Sequence, residues 1–78
     1  MDFDYKILGI LIRNLRKKKN LSQEVLSGLA GIARTHLTMI ENGTKQANIE
    51  TLWRLSRALN IPLSHLILEV EKELENRK

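Results

Sequence analysis

Arg34, Thr35, His36, Thr38 and Met39 fall within one six-residue stretch. Their side chains suit the reading of a polar surface rather than covalent chemistry. An arginine presents parallel N–H donors that match O6 and N7 of guanine. The hydroxyls of Thr35 and Thr38 suit a phosphate, a base edge or a thymine methyl, and His36 suits any of these. Met39 stands at the margin of the same face, between the core edge and a base-reading place. On either side lie groups suited to phosphate oxygens. Ser22 and Gln23 precede the stretch, and Asn42, Lys45 and Asn48 follow it. Ser22 and Gln23 open a helix, where free backbone N–H groups favour an anion.

Nothing beside them forms a catalytic or metal-binding set. The sequence has no cysteine, which excludes disulfides, thiolate zinc sites and a thiol nucleophile. His36 and His65 are far apart, with no carboxylate at ligand spacing, so neither a metal nor a cofactor is expected. Glu41 lacks a companion acid or nucleophile. It is expected to pair with Arg13 or Arg16 and tie its helix to the first one. An enzyme is therefore not expected.

The elements that position these residues follow from apolar spacing. No run alternates with strand period, whereas helical spacing recurs throughout. A first helix is predicted from about Tyr5 to Lys18, capped by Asp4, with Leu8, Leu11, Ile12 and Leu15 on one face. Arg16 to Lys19 suit the dipole of its last turn, and Lys17 to Lys19 read as a solvated face. A second helix follows Ser22, turns Val25, Leu26 and Leu29 inward, and stops at Ala30-Gly31. A third runs from about Arg34 to Glu41, burying Leu37 and Ile40, and Asn42-Gly43 ends it. Asn48 caps a fourth, with Leu52, Leu55, Ala58 and Leu59 inward, Trp53 half-buried to one side, and Asn60 left-handed at its end. A fifth begins near Pro62 or Leu63, carries Leu63, Leu66, Ile67 and Val70, and fades into a charged tail from Glu71 to Lys78. The expectation is one all-α domain over residues 1–78. Two short helices joined by Ala30-Gly31-Ile32-Ala33 form a helix-turn-helix, which presents its second helix to the major groove of DNA.

Charge agrees with that partner. The net charge is +4, and residues 13–57 hold nine Lys and Arg against Glu24, Glu41 and Glu50. Such a basic body favours a polyanion, although it also serves solubility. A chain of 78 residues buries only roughly 63% of its unfolded surface. A second copy would therefore add useful stability. Ile61, Leu63, Leu66 and Ile67 exceed the needs of one small core, so dimerisation is expected through about residues 60–70. No apolar run approaches the roughly 18 residues of a membrane span. The acidic start, Asp2 and Asp4, lacks the basic region of a signal peptide. A cytoplasmic, nucleoid-associated protein without a membrane partner is expected.

The successive motifs Ile12-Arg13-x-Leu15-Arg16, Leu21-Ser22-Gln23-Glu24, Ala30-Gly31-Ile32, Ile40-Glu41-Asn42-Gly43, Ile49-Glu50-Thr51-Leu52 and Leu59-Asn60-Ile61-Pro62 resemble the Cro/phage-repressor type of helix-turn-helix regulator. The resemblance covers residues 6 to about 68. The small size and Arg34-Thr35-His36 are most similar to the controller proteins of restriction–modification systems. Ala33 stands where a Ser, Thr or Asp cap is usual, and His36 where an aromatic or small polar residue is usual. The resemblance implies a compact five-helix repressor-type domain and a homodimer on a palindromic double-stranded operator. It implies repression or activation of transcription, with RNA polymerase as a candidate further partner. It also implies that Gln23 holds a phosphate and that Arg34 to Thr38 read bases. An alternative is an antitoxin-like module whose main role is protein interaction, but the charged tail disfavours it. Single-strand or RNA binding needs aromatic stacking, and the chain has one Phe, one Tyr and one Trp.

Overall fold

The computed structural model describes residues 3–76. It contains five helices: α1 (Tyr5–Lys18), α2 (Gln23–Ala30), α3 (Arg34–Glu41), α4 (Ile49–Ala58) and α5 (Leu63–Asn76). Neighbouring pairs are α1 with α3 and α5, α2 with α3 and α4, and α4 with α5. All of them pack round a single aliphatic core.

Local chemistry sets the helix ends. Asp4 accepts a hydrogen bond from the Lys6 amide at 2.9 Å. Ser22 Oγ accepts from the Val25 amide at 3.1 Å, and Asn48 Oδ1 from the Thr51 amide at 2.8 Å. Each cap satisfies a donor that the helix itself leaves open. Asn20, Gly31 and Asn60 stop α1, α2 and α4 by turning left-handed, with φ of 58°, 71° and 60°. The amides that follow, of Leu21, Ile32 and Ile61, then reach back to the carbonyls of Arg16, Ser27 and Ser56. This closes the ends with the bond pattern of a helix C-cap.

Ile12, Leu26, Leu37, Leu55, Leu59 and Leu66 are fully buried. Several expectations need correction. Val25 and Leu29 are 47% and 64% exposed. They form a stripe one residue round the helix from Leu26 and Ala30, which occupy the space toward the core. Trp53 does lie half-buried to one side, at 53% exposure, and the Arg57 guanidinium lies 5.9 Å over its ring. Helix α5 does not fade after Val70 but continues to Asn76. The stripe Leu66, Val70 and Leu74 keeps packing on the core beyond the point where charged residues begin. Leu66, expected in a dimer interface, is 0% exposed and belongs to its own chain's core. Ile61, Leu63 and Ile67 are only partly covered. The last residues of the expected tail, 77 and 78, lie outside the described residues.

Gly9 marks a close approach that the sequence did not reveal. A Cβ there would collide with the carbonyl oxygen of Ile40. Only a glycine lets α1 lie this near the end of α3.

Candidate nucleic-acid interface

Helix α3 is anchored on one side by Leu37, Ile40 and Glu41, all buried. Arg34, Thr35 and Met39 are exposed, while His36 and Thr38 are half-buried. The polar stretch thus forms one accessible face, with Met39 at its margin. Ala33 supplies no side-chain cap, so the first amides of α3 open beside Arg34 and Thr35, where a helix terminus favours negative charge.

Beneath this face runs a connected polar network. Arg16 grips Glu41 with two bonds, Nε to Oε2 at 2.8 Å and Nη2 to Oε1 at 3.0 Å. Its remaining nitrogen donates to the Leu21 carbonyl at 2.8 Å. Gln23 Nε2 donates to Glu41 Oε1 at 3.0 Å, and the Thr38 hydroxyl donates to Gln23 Oε1 at 2.9 Å. Arg13 lies 3.6 Å from Glu41 and donates to Asn42 Oδ1 at 3.0 Å. The expected tie between Glu41 and the arginines of the first helix is therefore present and reaches both of them. The Glu41 side chain is wholly buried. Burial pushes its carboxyl up, but the bonds from Arg16 and Gln23 and the charges of Arg16 and Arg13 outweigh it. Glu41 is held below the ordinary carboxylate value. The same contact raises Arg16 above its already high value.

The residues expected to hold phosphates fall into distinct settings. Gln23 is more than a surface donor, because its carbonyl and one N–H serve Thr38 and Glu41. Its second N–H remains. The Ser22 and Asn48 oxygens cap α2 and α4, leaving a hydroxyl proton and an amide NH2 to point outward. Asn42 is coupled to Arg13. Lys45 is exposed in the loop after α3. That loop is folded back by the Thr44 and Lys45 amides, both of which donate to the Met39 carbonyl. Arg34 and Lys45 stand outside the ion pairs described above. Sequence reasoning missed Arg13 as part of this edge, having placed it only as a partner of Glu41. Its spacing three residues before Arg16 was the available signal.

A short helix with a polar, basic outer face, carried on a second helix through a tight glycine turn, is the construction of a DNA-binding transcriptional regulator. The chain belongs to the helix-turn-helix family, whose profile matches residues 12–66. It is 39% identical over 72 residues to control protein C.MunI of a Mycoplasma species, covering 90% of this chain and 97% of that one. It is 40% identical over 63 residues to the ImmF control region 10 kDa protein of Bacillus phage phi105, covering 81% and 70%. The crystal structure of the restriction-modification controller protein C.AhdI from Aeromonas hydrophila superposes with a TM-score of 0.78 at 33% identity, over 81% of this chain and 96% of that one. The chain is accordingly a helix-turn-helix transcriptional regulator of the controller type. No helix among the described residues is long and apolar enough to cross a membrane.

Proposed function

We propose that the protein binds a palindromic operator as a homodimer and controls restriction–modification genes. The observation that carries this reading is the exposed face of α3, with Arg34, Thr35 and Thr38 presented together over a buried network that fixes the helix. Arg34 reads a guanine, while Thr35, His36, Thr38 and Met39 meet neighbouring bases. Ser22, Gln23, Asn42, Lys45 and Asn48 hold phosphates on both sides of the groove. Two-fold symmetry sets the third helices about 34 Å apart, one turn of DNA. The dimer contact uses the partly covered Ile61, Leu63 and Ile67, with exposed Leu68 beside them. Residues 1–78 act as one domain in the cytoplasm, and RNA polymerase is the partner through which occupancy alters transcription. The similarity to C.MunI and C.AhdI supports the choice of regulated genes.

A competition assay against operators changed at one symmetric base pair tests the division of labour. Arg34→Ala is expected to lose about 1–3 kcal/mol per half-site and to relax preference at one position. Lys45→Ala is expected to weaken all sequences alike and to flatten the log–log salt slope by about one per subunit. Even loss across all operators for Arg34→Ala would make Arg34 a phosphate contact and remove it from the reading set.

A further inference from the structure

The network beneath α3 fixes more than its position. The Glu41 carboxylate is buried and paired with Arg16, so it only accepts hydrogen bonds. The Gln23 amide must therefore turn its NH2 toward Glu41, and this sends its carbonyl oxygen toward Thr38. The opposite amide orientation would set two acceptors against each other. The Thr38 hydroxyl has a single proton. Its protein neighbours within bonding distance are Gln23 Oε1 at 2.9 Å and the Arg34 carbonyl at 3.0 Å. Both are acceptors. Whichever receives the proton, it is used inside the protein, and the hydroxyl turns only lone pairs outward.

We propose that Thr38 is a specificity-determining residue with fixed polarity: it reads a base as an acceptor only. In the major groove the groups that meet an acceptor are the N4 amine of cytosine and the N6 amine of adenine. Guanine O6 and thymine O4 present acceptors and are disfavoured at the same place. A threonine with a free hydroxyl would accept either class, because the rotor turns to suit its partner. Gln23 is polarised the other way. Its remaining outward group is an N–H, which matches a phosphate oxygen. One buried carboxylate thus imposes acceptor character on the base-reading hydroxyl and donor character on its phosphate-holding neighbour. The inference rests on α3 being the base-reading helix.

The experiment uses the full-length protein and an operator selected from a random duplex library. At each symmetric position an analogue lacking the exocyclic amine replaces cytosine or adenine, and affinities are measured for wild type, Thr38→Val and Thr38→Ser. At one position wild type is expected to prefer cytosine or adenine and to lose about three- to tenfold per half-site when the amine is deleted, the worth of one neutral hydrogen bond. Thr38→Val keeps the shape and is expected to be indifferent to that deletion, while Thr38→Ser retains the loss. A circular dichroism melt of each variant verifies folding. The proposal is overturned if wild type loses nothing when the amine is deleted from the base pair whose preference Thr38→Val alters. It is equally overturned if Thr38→Val suffers the same amine-deletion loss as wild type. If wild type discriminates at no position, the base-reading role of α3 itself fails, a result distinct from either.

Discussion

Between α1 and α3, Glu41 is met by Arg16 at 2.8 Å, Gln23 at 3.0 Å and Arg13 at 3.6 Å. The backbones there approach so closely that only Gly9 fits. Along the outer edge of α5 the polar contacts are exposed and long, His65 to Glu69 at 4.0 Å and Lys72 to Glu69 at 3.7 Å. Leu68 stands 48% exposed beside partly covered Leu63 and Ile67. The first region is completed within one chain, because Arg16, Gln23 and Arg13 all converge on a wholly buried carboxylate. The second leaves apolar area unspent, and its ion pairs are worth little in water. Helix α3, proposed to read bases, is thus held in place by contacts within one chain, while the surface proposed for dimerisation depends on a second copy.

Four experiments break or sharpen this contrast. The largest effect is expected for Glu41→Ala, which strands the Arg16 charge in a buried site. Breaking one side of such a pair costs about 3–5 kcal/mol. A domain of this size has only about 4–12 kcal/mol in all. Thermal unfolding should show a large drop in melting point. A melting point within a few degrees of wild type would mean that the network does not hold α3. Next, Gly9→Ala forces a methyl onto the Ile40 carbonyl and is expected to destabilise by about 1–3 kcal/mol. Urea unfolding measures this, with the loss falling on the α1–α3 seam and none on self-association.

Acid probes the same seam more gently. The carboxyl of Glu41 is lowered from its ordinary value of 4.5. The unfolded chain therefore takes up this proton at higher pH than the folded one does. The stability from the ionised form is fully present above that ordinary value and is lost as pH falls through the lowered folded value. Unfolding free energy measured from pH 6 downward should decline below about pH 4.5. A curve flat to pH 3 would contradict the assignment. The smallest effect on folding is expected at the α5 edge. Leu68→Lys changes an exposed position and should leave monomer stability within about 0.5 kcal/mol. Sedimentation at micromolar concentration should nevertheless show weakened self-association. Unchanged association would move the dimer contact elsewhere.

The sequence by itself determined the helices and most of their ends. Caps and left-handed stops are local devices: Ser22, Asn48, Gly31 and Asn60 do their work within a few residues, so spacing alone reveals them. It also determined that Arg34, Thr35 and Thr38 share a face and that Glu41 needs an arginine, since an unpaired buried charge is costly wherever it occurs. Tertiary structure decided the rest. Val25 and Leu29 were expected inside because their spacing is apolar, but α2 has only one face toward its neighbours, and Leu26 and Ala30 take it. Leu66 was assigned to a partner surface, yet the approach of α5 to the core consumed it. Leu74 carried α5 past the expected end because packing outlasted the apolar composition. Gly9 resembled any helical glycine until the Ile40 carbonyl lay against it. The polarity of Thr38 was likewise out of reach. A hydroxyl's direction depends on which acceptors surround it, and those come from Gln23, fifteen residues away, through a carboxylate that only folding brings beneath both.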